Sequence, residues 1–325
     1  PDYFVRGQPY LDEVVIRIIP DPATQVAALE SGEVDYLGSV SGPDIGRLEE
    51  NPEIGTIQSS RGSGGSNCVM TMSFNLERPM FQEPAVREAV AHALDREKFV
   101  DQILFGAGRV AEAPISSGIP WAHAENLGLP AFDRAEAERL LDEAGWRENG
   151  EGPREAQGVE GVEDGTPLAF DFVHFTTFAK YGELVRQQLG EVGMDVELMA
   201  LEPEVFPEPV FVERDFDTNV ISYCNGLDPE IGVRRMYTTE NIGPVPFSNS
   251  SAYSNPEVDA LFEEGARTTD RDERARIYGD IQERAVEDLP YVWLVETVGT
   301  RAHSASCSGF NPTSGRFAEA AYCSR

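Results

Sequence analysis

Strand-like and helix-like segments alternate along this chain, and the alternation constrains its fold more than any other feature of the sequence. Short apolar runs rich in β-branched residues are typical of strands, and apolar residues repeating every three or four positions are typical of helices. Their alternation favours α/β layers, in which helices cover a sheet. Strands are predicted at 14–19, 33–37, 54–58, 68–75, 168–174, 196–199 and 291–298, and helices at 22–31, 43–50, 79–103, 134–144, 178–189, from Pro256 and after Asp270.

Capping residues mark the ends of several predicted helices. Asp133 stands three residues before Glu136, which is the spacing of a capping box, and Gly145 follows the last apolar residue of that helix. Asp270 and Glu273 repeat the spacing further along. These signals predict where two helices begin.

Two glycine-rich stretches are predicted to be ordinary loops. The stretch 60–66 lacks the lysine and the helix start that a phosphate-binding loop requires. The acidic stretch 147–166 lacks the alternating ligand spacing of a calcium loop, so exposed turns are expected there.

The chain is too long for a single hydrophobic core. It has 325 residues, and two lobes are expected because single cores stop growing at roughly 250–300 residues. The longest apolar runs, such as 291–295, are the size of strands, so no membrane-spanning helix is predicted. Residues 1–14 contain neither a basic leader nor an apolar signal core, so the signal of an exported protein would have been removed or would lie upstream.

The chain is strongly acidic, with 57 acidic residues against 26 basic ones and a formal net charge of −31. Nucleic-acid binding requires a basic face, so a nucleic-acid partner is not expected. Two explanations of the charge stay open. One is an adaptation for solubility, and the other is a halophilic protein's life in high salt, where screening offsets the repulsion between carboxylates.

The four cysteines are Cys68, Cys224, Cys307 and Cys323. None forms a CxxC pair and the four histidines are scattered, so neither a zinc site nor a nickel site built from His and Cys is predicted, and no cofactor is expected. The even number of cysteines fits two disulfides, for which three pairings exist. It fits buried thiols in a reducing compartment equally well.

A series of short motifs runs in order over nearly the whole chain. Each motif alone is unspecific, but together they resemble family 5 of the bacterial and archaeal extracellular solute-binding proteins, the peptide- and nickel-binding group that serves ABC importers. The motifs are PDY at 1–3, PYLDEV at 9–14, ALESGEVD at 28–35, FNL at 74–76, VREA at 86–89, ALDRE at 93–97, AERLLDEAG at 137–145, YSNPEVD at 253–259 and LPYV at 289–292.

The resemblance implies two α/β lobes of the periplasmic-binding-protein type (type II, Venus-flytrap), joined by crossing strands and enclosing the ligand between them. Because the first residues fall inside the family's Asn-Pro-x-Tyr motif, we expect the chain to begin mid-fold, with the first lobe incomplete. That lobe is expected to comprise residues 1–75 and 296–325, and the second lobe residues 76–295. Hinge strands are expected near 67–75 and 291–297.

The resemblance also implies how the cysteines pair. Some oligopeptide-binding members join the strand before the Phe-Asn motif to the segment ahead of the pocket acid, and Cys68 and Cys224 match those two positions. Cys307 would then pair with Cys323. Such bonds form in an oxidising compartment.

Four residues are candidate ligand contacts. One segment resembles the family's tryptophan-x-x-aspartate stretch, in which an acid neutralises the amino terminus of a peptide. Here Tyr223 replaces the tryptophan, and Asn225 or Gly226 takes the place of the acid, which would suit a neutral or carbonyl-rich ligand such as a sugar or a capped peptide. Asp228 could substitute as the acid or serve only as a turn residue, and Trp121 could line the cleft or pack in the core.

The function implied by the resemblance is capture of a peptide or similar small solute by cleft closure, without catalysis. The protein would act as a monomer outside the cytoplasm, anchored to the membrane through a portion preceding residue 1, and deliver the solute to an ABC importer permease. A secreted hydrolase is the rival from another class, although no G-x-S-x-G or H-E-x-x-H motif occurs. A sensing adaptor would use the same cleft.

Overall fold

Strands and helices alternate in the computed structural model of the protein, which describes residues 7–40, 42–58, 67–150, 152–297, 299–310 and 320–324. Within them the strands are β1 (Tyr36–Leu37), β2 (Ile54–Gln58), β3 (Cys68–Phe74), β4 (Gly108–Val110), β5 (Trp146–Arg147), β6 (Glu155–Ala156), β7 (Ala169–Phe175), β8 (Asp195–Leu201), β9 (Thr218–Cys224), β10 (Tyr291–Thr297), β11 (Thr300–Ser304), β12 (Cys307–Ser308) and β13 (Tyr322–Cys323). The α-helices are α1 (Pro22–Glu30), α2 (Gly42–Glu49), α3 (Pro79–Gln82), α4 (Pro84–Ala93), α5 (Arg96–Lys98), α6 (Arg134–Glu143), α7 (Ala179–Gly190), α8 (Arg234–Tyr237), α9 (Pro256–Arg267) and α10 (Arg271–Asp288).

A mixed sheet of six strands, in the order β4-β10-β3-β9-β7-β8, organises the larger of the two hydrophobic cores. β7 pairs in parallel with β8 and β9, whereas the other neighbours are antiparallel. The ladder between β3 and β9 runs without interruption from Cys68–Cys224 to Phe74–Thr218. Nearly every residue of β3 and β10 is buried, which is typical of strands covered on both faces.

The helix predicted at 79–103 is wrong as a single element, because the structure divides it into α3, α4, α5 and a π-helical turn. Pro84 disfavours helical geometry in the residue before it, and Glu83 is accordingly extended, with a ψ of 117°. A second break falls at Asp95, which is also extended. There the side chain of Gln188 accepts a hydrogen bond from the backbone N–H of Asp95, at 2.6 Å, so the interruption leaves that donor satisfied.

Two arginines of the motifs VREA and ALDRE donate hydrogen bonds to backbone carbonyls. Arg87 is only 7% exposed and links the end of α3 to the end of α10. Arg96 links β10 to the segments that follow β4 and precede α6. The accepting carbonyls are those of Phe81, Gln82, Asp288 and Leu289 for Arg87 and those of Ala111, Trp293 and Pro130 for Arg96.

A smaller sheet, in the order β1-β11-β2, supports a second hydrophobic cluster with α1 and α2. The strand predicted at 14–19 is wrong. These residues belong to no strand, and the side chains of Ile16 and Ile18 are 82% and 92% exposed. Apolar β-branched residues favour a strand only where a neighbouring strand supplies hydrogen bonds and packing, and none of the described residues does so here.

The two sheets approach each other beside α2. A β-carbon at Gly42, the first residue of α2, would lie 2.7 Å from the carbonyl oxygen of Leu104, which belongs to the larger part of the molecule. Ala107 also packs against the smaller hydrophobic cluster. A glycine therefore allows the backbone of α2 to reach the turn at 104–107.

The exposed turns predicted at 147–166 are only partly present. β5 and β6 pair to form a short hairpin, and Arg154, Ala156 and Val159 are buried. Arg154 donates hydrogen bonds to the carbonyls of Trp146 and Val192 and pairs with Asp142. The arginine is buried because every part of its guanidinium finds an acceptor, which an acidic, aperiodic sequence does not reveal.

The remaining predicted elements are confirmed within a few residues, and the alternation correctly predicted α/β layers. The carboxylates of Asp133 and Asp270 accept hydrogen bonds from the backbone N–H groups of Glu136 and Glu273, as the capping spacing predicts. The end of the strand predicted at 291–298, the loop at 60–66 and the motif at 1–3 lie outside the described residues.

Protonation of Asp171 is expected to affect stability. Asp171 accepts a hydrogen bond from the backbone N–H of Asp217, and Asp217 accepts one from that of Asp171, at 2.8 and 3.1 Å. Burial, together with the charge of Asp217, raises the pKa of Asp171 to about 6. Because the folded pKa lies above that of the unfolded chain, the stabilisation is complete below about pH 4 and is lost as the pH rises through 6.

The substitution Asp171→Asn is expected to remove this loss of stability at high pH, because an amide does not ionise. We expect the variant to exceed the wild type in unfolding free energy by about 1 kcal/mol at pH 8, after discounting for partial exposure, and to match it near pH 4. Urea unfolding across this pH range measures the difference. The control Glu197→Gln removes an exposed carboxylate from the adjacent strand, and an equal gain in that variant would contradict a specific role for Asp171.

Substitution of Arg87 tests its contacts with carbonyls. Arg87→Met leaves four buried acceptors without their donor, and we expect it to lower the unfolding free energy by about 3–5 kcal/mol. Arg87→Lys restores part of the loss because an ammonium reaches fewer of the acceptors. Arg186→Met, which truncates an exposed arginine of α7, is the matched control. An equal, small loss in all three variants would show that the contacts contribute little.

Candidate functional site

One end of the six-stranded sheet gathers the candidate site. β3 begins there at Cys68 and β9 ends there at Cys224, directly opposite, while Glu296 near the end of β10 faces Arg109 of β4. The chain enters this end from β2 and leaves it for β11, and both of those strands belong to the smaller sheet. We call this end of the sheet, with Asn67, the crossing edge, because the chain passes between the two sheets here.

A disulfide joins the two central strands of the crossing edge. Cys68 pairs with Cys224, and Cys307 pairs with Cys323, which are the two pairs that the family resemblance implied. Beyond the first disulfide, Asn225 donates its backbone N–H to the carbonyl of Asn67 at 3.2 Å. The strands are therefore held together up to the residue at which the site begins.

The crossing edge contains amide groups without hydrogen-bond partners. The side-chain oxygens of Asn67 and Asn225, and the side-chain nitrogen of Asn225, are buried and have no partner among the described residues. The other end of the Asn67 amide donates to the carbonyl of Gly226 at 3.1 Å. Buried amides normally find partners, so these unpaired groups make the crossing edge a candidate binding site.

Tyr223 is placed in the core. Its side chain is 1% exposed, and its hydroxyl donates to the carbonyl of Ser248 at 2.9 Å and contacts Ser250. Burial raises the pKa of Tyr223 well above its ordinary value. The hydroxyl that the sequence offered to a ligand is therefore already bonded within the fold.

Asp228 is paired with an arginine. Arg274 donates two hydrogen bonds to its carboxylate, both at 2.8 Å, and the backbone N–H of Glu230 donates a third at 3.1 Å. Burial acts to raise the pKa of Asp228, but these hydrogen bonds outweigh it and lower the pKa below its ordinary value. The carboxylate is thus ionised and neutralised by Arg274, and its bond to Glu230 is that of a turn residue.

Trp121 lies beside Arg274 and the loop that contains Asp228. Its indole N–H donates to the carbonyl of Leu227 at 3.1 Å, and its ring meets that of Tyr278 edge-on at 5.7 Å. The guanidinium carbons of Arg271 and Arg274 lie 5.3 and 5.1 Å from the ring centroid. Trp121 is thereby fixed against the loop that follows Asn225, with cations beside its ring.

Three of the four predicted contacts, Trp121, Asn225 and Asp228, are thus brought close to one another, whereas Tyr223 faces away. The sequence did not single out Asn67, Arg109, Ser117 or Glu296. Glu296 is buried and accepts hydrogen bonds from the backbone N–H and hydroxyl of Ser117, while Arg109 lies 3.6 Å away and bonds the same hydroxyl. The sequence signal that could have identified Glu296 is the position of this glutamate directly after the apolar run YVWLV.

Neither a metal centre nor a membrane span is found in the described ranges. No group of three or more His, Cys, Asp or Glu side chains there is arranged to hold an ion. No described helix combines the length and the apolar character that crossing a bilayer demands.

The fold is the two-lobed α/β fold of type II periplasmic binding proteins. The family model described as bacterial extracellular solute-binding proteins, family 5, middle region, matches residues 1–244. The chain belongs to this family.

Individual relatives agree with this assignment. The chain is 28% identical to the oligopeptide-binding protein AppA of Bacillus subtilis, over 90% of this chain and 52% of that protein. It is 26% identical to the glutathione-binding protein GsiB of Pectobacterium atrosepticum, over 95% of this chain and 56% of that one. Among solved structures, the periplasmic binding protein DppA of Helicobacter pylori, in complex with the peptide STSA, matches with a TM-score of 0.81 at 22% identity, covering 98% of this chain and 59% of the other. The chain spans about half the length of the curated relatives that it matches.

The disulfide of the crossing edge is expected to be a major source of stability. It closes a segment of 156 residues, against 16 for Cys307–Cys323. We expect Cys68→Ala with Cys224→Ala to lower the unfolding free energy by about 5 kcal/mol. Chain entropy makes this loss about 2 kcal/mol larger than that of the control, Cys307→Ala with Cys323→Ala. Equal losses in chemical denaturation would contradict this expectation.

Proposed function

We propose that this chain forms the ligand-enclosing part of an extracytoplasmic solute-binding protein, which captures a peptide or similar small solute and delivers it to an ABC importer permease. The single observation that supports the proposal most is the crossing edge. Buried, unpartnered amides stand there at the point where both chain connections run to the smaller sheet. Membership of the solute-binding family supports the same function.

Capture would proceed by hinge closure. The first lobe would comprise residues 1–75 and 296–325, the second lobe residues 76–295, and the connections near 67–75 and 291–297 would act as hinges. Ligand binding would draw the smaller sheet towards the crossing edge, and the closed form would be recognised by the permease. No catalytic step is proposed.

The ligand would be held by hydrogen bonds. Asn225 and Asn67 offer a donor and two acceptors that suit the amides of a peptide or the hydroxyls of a sugar. Asp228 would not hold a ligand ammonium, because its carboxylate is already paired with Arg274.

The cellular setting proposed is outside the cytoplasm, as a monomer. Two disulfides support an oxidising compartment. The net charge of −31 supports a salt-rich environment, in which screening reduces the repulsion between carboxylates.

Substitution of the amides tests the proposal. The full chain is purified without refolding and mixed with pooled tripeptides. In native mass spectrometry we expect the protein to retain bound peptide. Asn225→Ala and Asn67→Ala are each expected to weaken binding about tenfold, the equivalent of one hydrogen bond. Asn149→Ala, which removes an exposed amide of the β5–β6 turn, is the control.

Two outcomes would contradict the proposal. Peptide binding that is unchanged in both variants would remove the crossing edge from the site. Turnover of the peptides by the pure protein would make it a hydrolase.

A further inference from the structure

An arginine beside the candidate site lacks a carboxylate partner. Arg234 pairs with Glu230 at 3.3 Å, with Glu240 at 3.0 Å and with Glu263. Its neighbour Arg235 has no carboxylate within 4.0 Å among the described residues. Arg87 and Arg96 also form no ion pair, but carbonyls accept from several of their nitrogens, whereas only the Nε of the half-buried Arg235 has an acceptor among the described residues.

Arg235 lies next to Asn225. Its Nε donates to the carbonyl of Gly232 at 3.2 Å, and its guanidinium carbon lies 6.0 Å from the ring centroid of Tyr223. Gly232 packs against Asn225 so closely that a β-carbon on the glycine would come within 2.5 Å of the asparagine side-chain oxygen. The guanidinium and the unpartnered amide therefore belong to the same small region.

The loop between these two residues is fixed. Gly226 donates its backbone N–H to the carbonyl of Ile231 at 2.7 Å, and Ile231 donates to the carbonyl of Asp228 at 2.8 Å. Ile231 itself is 65% exposed. These bonds close the loop between Asn225 and Arg235, and Ile231 adds an exposed apolar side chain beside them.

The acids of this region are bonded to groups other than Arg235. The carboxylate of Asp228 is bound by Arg274, and that of Glu230 accepts from the hydroxyl of Tyr278 and from Arg234. The two terminal nitrogens of Arg235 have no acceptor among the described residues. The carboxylates nearest to Arg235 are therefore engaged by other groups, and the terminal nitrogens of Arg235 are left to bind an anion.

We propose that Arg235 binds a carboxylate of the captured solute, with Asn225 as its neighbouring hydrogen-bonding group. A guanidinium presents parallel N–H donors that match the two oxygens of a carboxylate. The inference rests on the proposed function and narrows its substrate class to solutes that carry a carboxylate, such as peptides with a free carboxyl terminus or an acidic side chain. This site would recognise a negatively charged group of the solute. The family resemblance implied the opposite arrangement, in which an acidic residue binds the ammonium of a peptide amino terminus.

Matched pools of peptides test this proposal on the full chain. The probes are tripeptides with free termini, the same tripeptides amidated at the carboxyl terminus, the same tripeptides acetylated at the amino terminus, and amidated tripeptides that contain one glutamate. We expect amidation to weaken binding to the wild type about tenfold, and acetylation to change it little. Retained binding of the glutamate-containing amides identifies a side-chain carboxylate as the recognised group, and its loss identifies the terminal one.

Variants then assign the effect to Arg235. In Arg235→Met we expect the free and amidated pools to bind equally, because the group that distinguishes them is gone. Arg235→Lys is expected to keep part of the preference, since it retains the charge but not the paired donors. Arg186→Met is the control and is expected to keep the wild-type preference, and thermal unfolding checks that each variant is folded.

The outcomes separate this proposal from the proposed function. If tripeptides bind and the preference for a free carboxylate is absent, or persists in Arg235→Met, the role of Arg235 is overturned while solute capture stands. If no pool binds the wild type, peptide capture itself fails, and the inference fails with it.

Discussion

The structure depends above all on the pairing of β3 with β10 on one side and with β9 on the other. These three strands are buried at the centre of the six-stranded sheet, and they bring together segments more than 200 residues apart in sequence. Every component of the crossing edge is attached to one of them or to its immediate neighbour. The disulfide Cys68–Cys224 reinforces the pairing at the end where the candidate site lies, so that the candidate ligand groups Asn67 and Asn225 stand next to a covalent link.

Sequence patterns predicted elements well where local signals and tertiary partners agree. The strand at 54–58 was predicted with its observed bounds, and Asp133 and Asp270 fixed two helix starts, because a strand with a partner and a capped helix follow their local preferences. The segment 14–19 had strong strand propensity, but propensity does not supply a neighbouring strand. In 79–103 the apolar spacing correctly gave the buried face, yet Pro84 and the extended residue Asp95 divided the helix.

The candidate site was predictable only in part. Resemblance to the family located the segment that carries Asn225 and Asp228, and it implied the pairing of the cysteines that the structure contains. It did not reveal that Asp228 is occupied by Arg274, which comes from a helix 46 residues away. Likewise, the sequence RR gives no sign that Arg234 is surrounded by glutamates and Arg235 is not, because Glu263 reaches Arg234 from α9. Such distinctions arise only when distant elements pack.

The contact between α2 and the turn at 104–107 bears on the mechanics of the molecule. Gly42 meets the carbonyl of Leu104 at a distance that leaves no room for even one methyl group. In the proposed hinge closure, this contact would limit how near the smaller sheet can come to the larger one. A side chain at this position would hold α2 away from the turn and so change the range of the proposed motion, although it contacts none of the candidate ligand groups.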